Sequence, residues 1–157
     1  MFSNRTRGLP VAGLFAGAMI VASAAAFAGS CPADKMGVDV TKPSTMAAKD
    51  VTDNVLGMID LSKEKIGVDR KFRLRKLVVQ PGGVVPWHSH GDRPALIYIV
   101  SGEIIEYASN CAVPIVHKAG DVAPETKATS HWWKNTGKEP VVLLSADLLM
   151  DDKDHMM

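Results

Sequence analysis

From Phe72 to Leu149 the chain is a succession of short apolar or alternating runs, each closed by a turn built from Gly, Pro, Ser, Asn or Asp. Phe72-Arg73-Leu74-Arg75 alternates, Leu77-Val78-Val79 is apolar, and Pro81-Gly82-Gly83 turns. Val84–His90 follows, then the loop Gly91–Pro94, then Ala95–Val100, apolar on both faces and ended by Ser101-Gly102. Glu103–Tyr107 is expected to pair back, with further strands at Val113–His117, His131–Asn135 and Val141–Leu149. No helical period competes over a long window, so the spacing predicts an all-β sandwich or barrel. Val141–Leu149 has almost no polar alternation, as in a strand covered on both faces. One cover would be the core; the other would be a second subunit, making a homodimer, or the N-terminal arm.

The N-terminal end reads as a leader. Arg5 and Arg7 precede an Ala/Gly-rich apolar run, Val11–Ala22, and Ala26-Phe27-Ala28 is a small-x-small cleavage site before Gly29. That is the pattern of a secretory signal over 1–28, which makes the protein exported, and periplasmic if the cell is Gram-negative. The run is short and weakly apolar for a span, so no stable membrane segment is expected after cleavage. An uncleaved anchor, or a lipoprotein modified at Cys31, are the alternatives. Residues 29–54 read as an extended polar arm, with a short helix around Thr45–Asp50. Residues 55–157 read as the barrel, with Val55–Leu61 as its first strand.

Removing 1–28 takes away Arg5 and Arg7 and moves the formal charge from +1 to −1. A near-neutral domain without a basic cluster is not expected to bind nucleic acid. The local run Lys63, Lys65, Arg70, Lys71, Arg73, Arg75 and Lys76 reads as the solvated face and edge of a strand. Two cysteines, Cys31 and Cys111, would form one disulfide in an oxidising compartment. Two free thiols, or Cys31 lipidated with Cys111 buried, are the competing readings.

The chemistry concentrates on histidine. His88 and His90 are two apart, so on a strand both face one side, and His131 follows forty-one residues after His90. A third imidazole from a facing strand would close a three-His metal site. Neutral imidazoles with open positions suit Fe, Cu, Zn, Mn or Ni, and ligand type does not choose among them. Strand phase puts Ile97 and Ile99 on the face of Ala95, and Trp133 on the face of His131. Trp132 then points outward, and Trp87 is out of phase with His88. Arg93 can hold a substrate carboxylate or be a solvated loop residue. Tyr98 and Glu106 are proton-transfer candidates set aside as out of phase or too distant, and His117 reads as a surface residue or one behind the ligands. His155, Met156 and Met157 add soft and imidazole ligands, or a frayed tail.

These residues resemble the cupin superfamily, small jelly-roll barrels, and in particular a compact exported bacterial member. Gly82, His88, His90 and Gly102 fit the first cupin motif; Gly120, His131 and Asn135 fit the second. The resemblance covers about residues 72–149 and implies a double-stranded β-helix with a metal in its mouth. Each motif has one departure from it. Ala95 stands where the first motif has its ligating Glu, and Thr126 and Ala128 replace the Pro and Gly of the second. Without Glu a three-His metal keeps its full charge and an extra open position, which favours a small oxygenated or carboxylated ligand bound directly to it. Metal-dependent, oxygenase-like (dioxygenase-type) catalysis is one expectation; a non-catalytic periplasmic metal or small-ligand binder is another, and a structural dimer with a vestigial site a third. Arg93, Ile97 and Trp133 are the expected substrate-binding residues.

Overall fold

The structure, a computed structural model, describes residues 29–150. The expected leader over 1–28 and the tail residues His155, Met156 and Met157 lie outside them. The strands are β1 (Lys49–Asp60), β2 (Lys71–Ser89), β3 (Ala95–Ser101), β4 (Glu103–Ala108), β5 (Ile115–Lys118), β6 (Val122–Glu125), β7 (Ser130–Lys134) and β8 (Val141–Leu149). They form one sheet in the order β5-β4-β7-β2-β8-β3-β6, with β1 paired to β2. The two ends of that order, β5 and β6, are consecutive in the chain and joined by a short turn, so the sheet curls into an all-β barrel. Among the described residues no helix is long and apolar enough to cross a membrane.

β3 and β4 are separated by Gly102 alone, yet they are not neighbours. β3 pairs with β6 and β8, whereas β4 pairs with β5 and β7. The expected pairing of Glu103–Tyr107 back onto the preceding strand is therefore corrected. Gly102 has φ +86°, and a Cβ there would lie 2.9 Å from Val141 Cγ2, so a glycine is needed where the chain turns this corner.

β2 runs through Pro81-Gly82-Gly83, where a turn between two strands was expected. Lys71–Val79 pairs with β8 and Val84–Ser89 with β7, so the expected turn is the point where one strand changes partner. Asn135 fixes that bend. Its N–H donates to Gly83 O at 3.1 Å, its carbonyl accepts from Gly82 N at 2.9 Å, and its side-chain amide donates to Val79 O at 2.9 Å.

The expected helix around Thr45–Asp50 is absent; those residues lead directly into β1, which begins at Lys49 rather than Val55. The cause is tertiary. The outer edge of β2 offers a long row of unpaired backbone groups, and β1 satisfies them from Lys49↔Val84 to Asp60↔Lys71. Upstream, the arm is held to the β4–β5 turn. Cys31 and Cys111 are bridged, and Gly37 N and Val40 N donate to Asn110 O and Ser109 O.

The inner face is apolar at one end and ionic at the other. Leu77, Val79, Ile99, Val141 and Leu143 are buried in the apolar part. Further along the same faces of β2 and β8, Arg73 lies opposite Asp147 and Arg75 opposite Ser145. Arg73 grips Asp147 with two hydrogen bonds, Nε–Oδ1 at 3.0 Å and Nη2–Oδ2 at 2.7 Å. Arg75 pairs with Asp53 through Nη1, and through Nη2 with Asp147 at 3.1 Å and Ser145 at 3.2 Å. This overturns the solvated reading for two residues of the basic run: Arg73 and Arg75 are 2% and 4% exposed, whereas Lys63, Lys65 and Lys76 are exposed as expected. Their alternation with Leu74 and Lys76 is real, but the arginines are on the inward phase and their carboxylate partners come from other strands.

β8 is buried on its inner face and half-buried on its outer one. Outside, Leu96, Tyr98 and Val100 on β3 and Val122 on β6 are 44–56% exposed beside it.

Candidate metal centre

His88 at the end of β2 lies directly across from His131 on β7, and His90 follows β2 by one residue. Their Nε2 atoms form a triangle: 3.1 Å from His88 to His90, 3.0 Å from His90 to His131, and 3.1 Å from His131 to His88. Each remaining ring nitrogen is occupied. Nδ1 of His88 meets Pro86 O at 2.9 Å, Nδ1 of His90 meets Arg93 O at 2.8 Å, and Nδ1 of His131 meets Glu106 Oε1 at 2.7 Å. Carbonyl and carboxylate oxygens accept and do not donate, so each Nδ1 carries the hydrogen and the Nε2 lone pairs converge; on His131 the 2.7 Å contact to Glu106 decides this over the longer 3.1 Å approach of the Trp133 indole N–H. Lone pairs that face one another at this spacing call for an electrophile between them. The triangle matches one face of a shell with metal–nitrogen bonds of about 2.0–2.1 Å, so the donor set fits a transition metal.

Burial, with the neighbouring His131 adding to it, holds His88 down at about 2 and His90 at about 4. Both are neutral ligands over the ordinary pH range. Burial lowers His131 as well, but the adjacent Glu125 and Glu106 outweigh it and its pKa is raised. Burial alone would raise Glu106; hydrogen bonds from His117 and His131 overcome that and hold it at about 2. Glu125, 3.5 Å from His131 Nδ1, is pushed up to about 7 by burial, against the pull of His131 and with the push of Glu106.

The imidazoles border a cavity of about 20 Å³ whose other walls include Ile97, Trp133, Leu143, Arg75 and Ser145. On the far side of His131 is a second, open cavity of about 260 Å³, lined by Glu106, Glu125 and Thr129 and by Gly29, Ser30 and Cys31 of the arm. The Cys31–Cys111 bridge thus holds the wall of a space that backs onto the centre.

Of the residues expected to touch a substrate, Ile97 and Trp133 border the first cavity, and Trp133 packs edge-on against His131 with centroids 5.5 Å apart. Arg93 is not among the lining residues. Its side chain is buried, with Nη1 3.9 Å from Asp147, and its contribution to the centre is the carbonyl that orients His90. Ala95, in place of the motif Glu, faces Glu125 on one neighbouring strand and Asp147 on the other. The carboxylate missing at 95 is thus flanked by two, one turned to His131 and one to the arginines.

His117 is fully buried rather than on the surface, its Nε2 2.7 Å from Glu106 Oε2. Tyr98 is on the outer face, and Trp132 stacks on Tyr107 at 4.1 Å, also away from the centre. Glu106, set aside as out of phase or too distant, is bonded to His131, and Glu125 and Arg75 were not expected here. A charged residue on the inward phase of a strand was the available signal: Glu106 shares its face with buried Ile104 and Ala108, and Arg75 with Leu77 and Val79.

The profile of a family described as a cupin domain matches residues 75–147. No curated protein sequence matches this chain. Among solved structures, it is similar to a conserved protein with a double-stranded β-helix domain from Klebsiella pneumoniae, with 20% identity and a TM-score of 0.54 over 71% of this chain and 85% of that one. It is also similar to the Cnp3 cupin domain of Schizosaccharomyces pombe, with 18% identity and a TM-score of 0.51 over 67% of this chain. The match spans 65% of that protein's chain, just under two thirds. A third similar structure is KdgF from a Halomonas species, with 14% identity and a TM-score of 0.51 over 66% of this chain and 83% of that one. At these identities the likeness establishes the shared fold.

Proposed function

This chain belongs to the cupin superfamily, and we propose that it is an exported metal-dependent enzyme acting on a small oxygenated or carboxylated molecule bound at His88, His90 and His131. The observation that carries this reading is the Nε2 triangle with every Nδ1 already engaged. The bound metal, one of Fe, Cu, Zn, Mn or Ni, would supply a Lewis acid or an O₂-activating centre, so oxygenase-like turnover is the first chemistry to assay. The chain's own residues do the rest. Pro86 O, Arg93 O and Glu106 fix the three ring tautomers, and Ile97, Trp133 and Leu143 keep bulk water from the reacting end of the ligand.

One observation favours a second reading, a non-catalytic metal or small-ligand binder. The residues lining the cavity include no aspartate or glutamate to move a proton, and the imidazoles are committed as ligands. Turnover separates the two readings.

Two further proposals complete the picture. Processing after Ala28 and export are supported by the apolar run before Gly29 and by a disulfide of the kind that persists outside the cytosol. A homodimer through the outer face of β3, β6 and β8 is supported by the apolar surface of Leu96, Tyr98, Val100 and Val122.

The test is the metal content of protein recovered from export, beside a His88→Ala/His131→Ala double variant. Near-stoichiometric metal in the parent and none in the variant is expected; O₂ uptake and turnover with small carboxylates are then screened with the native metal. A parent that takes up none of the five ions overturns the reading.

A further inference from the structure

The three-His cavity has a polar wall that the metal ligands do not account for. Arg75 and Ser145, cross-strand partners on β2 and β8, both border it. Arg75 is 4% exposed and Ser145 1%. The guanidinium is only partly satisfied. Nη1 pairs with Asp53, and Nη2 with Asp147 and Ser145, but the buried Nε–H has no acceptor among the described residues. Ser145 Oγ accepts from Arg75, which leaves its own hydrogen to donate. A buried donor on a charged group left without a partner is costly, and chains retain such groups where a ligand completes them.

The sign of the site points the same way. Among the described residues no carboxylate borders the cavity, and Ala95 removes the anionic ligand of the family pattern. A divalent metal on three neutral imidazoles would keep its whole charge; the Arg75 charge is offset by Asp53 and Asp147, and its Nε–H remains to donate. The volume, about 20 Å³, has room for one or two water-sized groups, which admits the head of a small anion and not a ring.

We infer that Arg75 and Ser145 form an anion-recognition wall opposite the three imidazoles, and that the ligand class of this centre is a small carboxylate or comparable oxyanion. The assignment rests on the three-His metal reading for one end of the ligand; the Arg75 wall recognises the other. It places the specificity in Arg75, on the part of β2 that precedes the motif, and not in Arg93.

The test uses the mature protein, metal-loaded and metal-free, and two probes of similar size: formate, and its neutral analogue formamide. Binding is followed by calorimetry, and by the visible spectrum of the cobalt-substituted protein. Formate is expected to bind about tenfold or more tightly than formamide, the worth of one charge-assisted hydrogen bond. Arg75→Gln should remove that preference in the metal-free protein and reduce it in the metal-loaded one, with metal content unchanged, and Arg75→Lys should keep part of it. Because Arg75 is also paired in the wall, Ser145→Ala serves as the milder variant: it should fold, hold metal, and weaken formate several-fold. Equal binding of the two probes to the parent, or parental formate affinity in both Ser145→Ala and any folded Arg75 variant, overturns the inference while leaving the metal reading intact. If the parent holds no metal, the metal reading fails by itself. Formate binding to the metal-free protein then decides: a preference lost in Ser145→Ala supports the wall, and no preference overturns it.

Discussion

Glu106 Oε1 accepts a hydrogen bond from His131 Nδ1 at 2.7 Å while its other oxygen lies 2.7 Å from His117 Nε2. A single buried carboxylate from β4 therefore sets the ring orientation of an imidazole on β7 and is itself held by one on β5. It also leaves the Nε2 lone pair of His131 directed at those of His88 and His90.

That relationship predicts a metal effect from a residue that is not one of the three imidazole ligands. Glu106→Gln should lower metal affinity by about 10–100-fold, the usual cost of losing an outer-shell partner. Competition with a chelator of known strength measures it. An unchanged affinity would mean that the β7 scaffold alone positions His131.

Asp147 is fully buried and meets Arg73 twice and Arg75 once. Asp147→Ala leaves two buried guanidinium groups short of their counter-charge, and should destabilise the fold by about 3–5 kcal/mol. Urea unfolding gives the value, and a loss below about 1 kcal/mol, the level of an exposed pair, would contradict this account of the wall.

The Cys31–Cys111 bridge closes a long loop, with 80 residues of sequence separation. Replacing both with serine should cost about 4 kcal/mol by the chain-entropy argument. It should also free the arm from the cavity behind His131, read as faster hydrogen exchange at Gly37 and Val40, whose N–H groups donate to Asn110 O and Ser109 O of the adjoining turn. Equal unfolding midpoints with and without reductant would rule out a stabilising role.

Glu125 gives a pH signature in the metal-free protein. Its folded pKa is raised to about 7 from 4.5, so the folded state holds a proton that the unfolded chain releases above 4.5. The stability from the neutral form is complete below 4.5 and is lost as pH rises towards 7. Glu125→Gln stays neutral, so its advantage over the parent should widen from pH 5 to 7 and then level off, at no more than about 3 kcal/mol. Parallel stability curves for the two proteins would refute the assignment.

The outer face of β3 offers the association test. Leu96→Asp, at a position 56% exposed, should leave the monomer fold and metal content unchanged. If this face joins two copies, it should convert a dimer into a monomer in sedimentation. A parent that is monomeric at all concentrations would remove the dimer proposal.

Local chemistry made much of this legible in the sequence. Turn residues at regular intervals marked the strands. The two-residue period put His88 and His90 together, and Gly82, Gly102 and Gly120 stand where the backbone takes positive φ. Ile97 and Trp133 followed from strand phase alone. Cys31 and Cys111 had one bridge to make once oxidised, and they are bridged.

What only the tertiary structure decided depends on which strand lies beside which. Sequence neighbours β3 and β4 part company, while β4 meets β7, and that pairing carries Glu106 to His131. The same rule buries Arg73 and Arg75 out of an otherwise solvated basic stretch, because Asp147 arrives on β8 and Asp53 on β1. Strand period tells which face a side chain takes but not what waits across from it. Charges on an inward face are affordable only when a distant strand brings the counter-charge, so the sequence by itself determined the fold class and the three imidazoles, and the barrel's closure chose their partners.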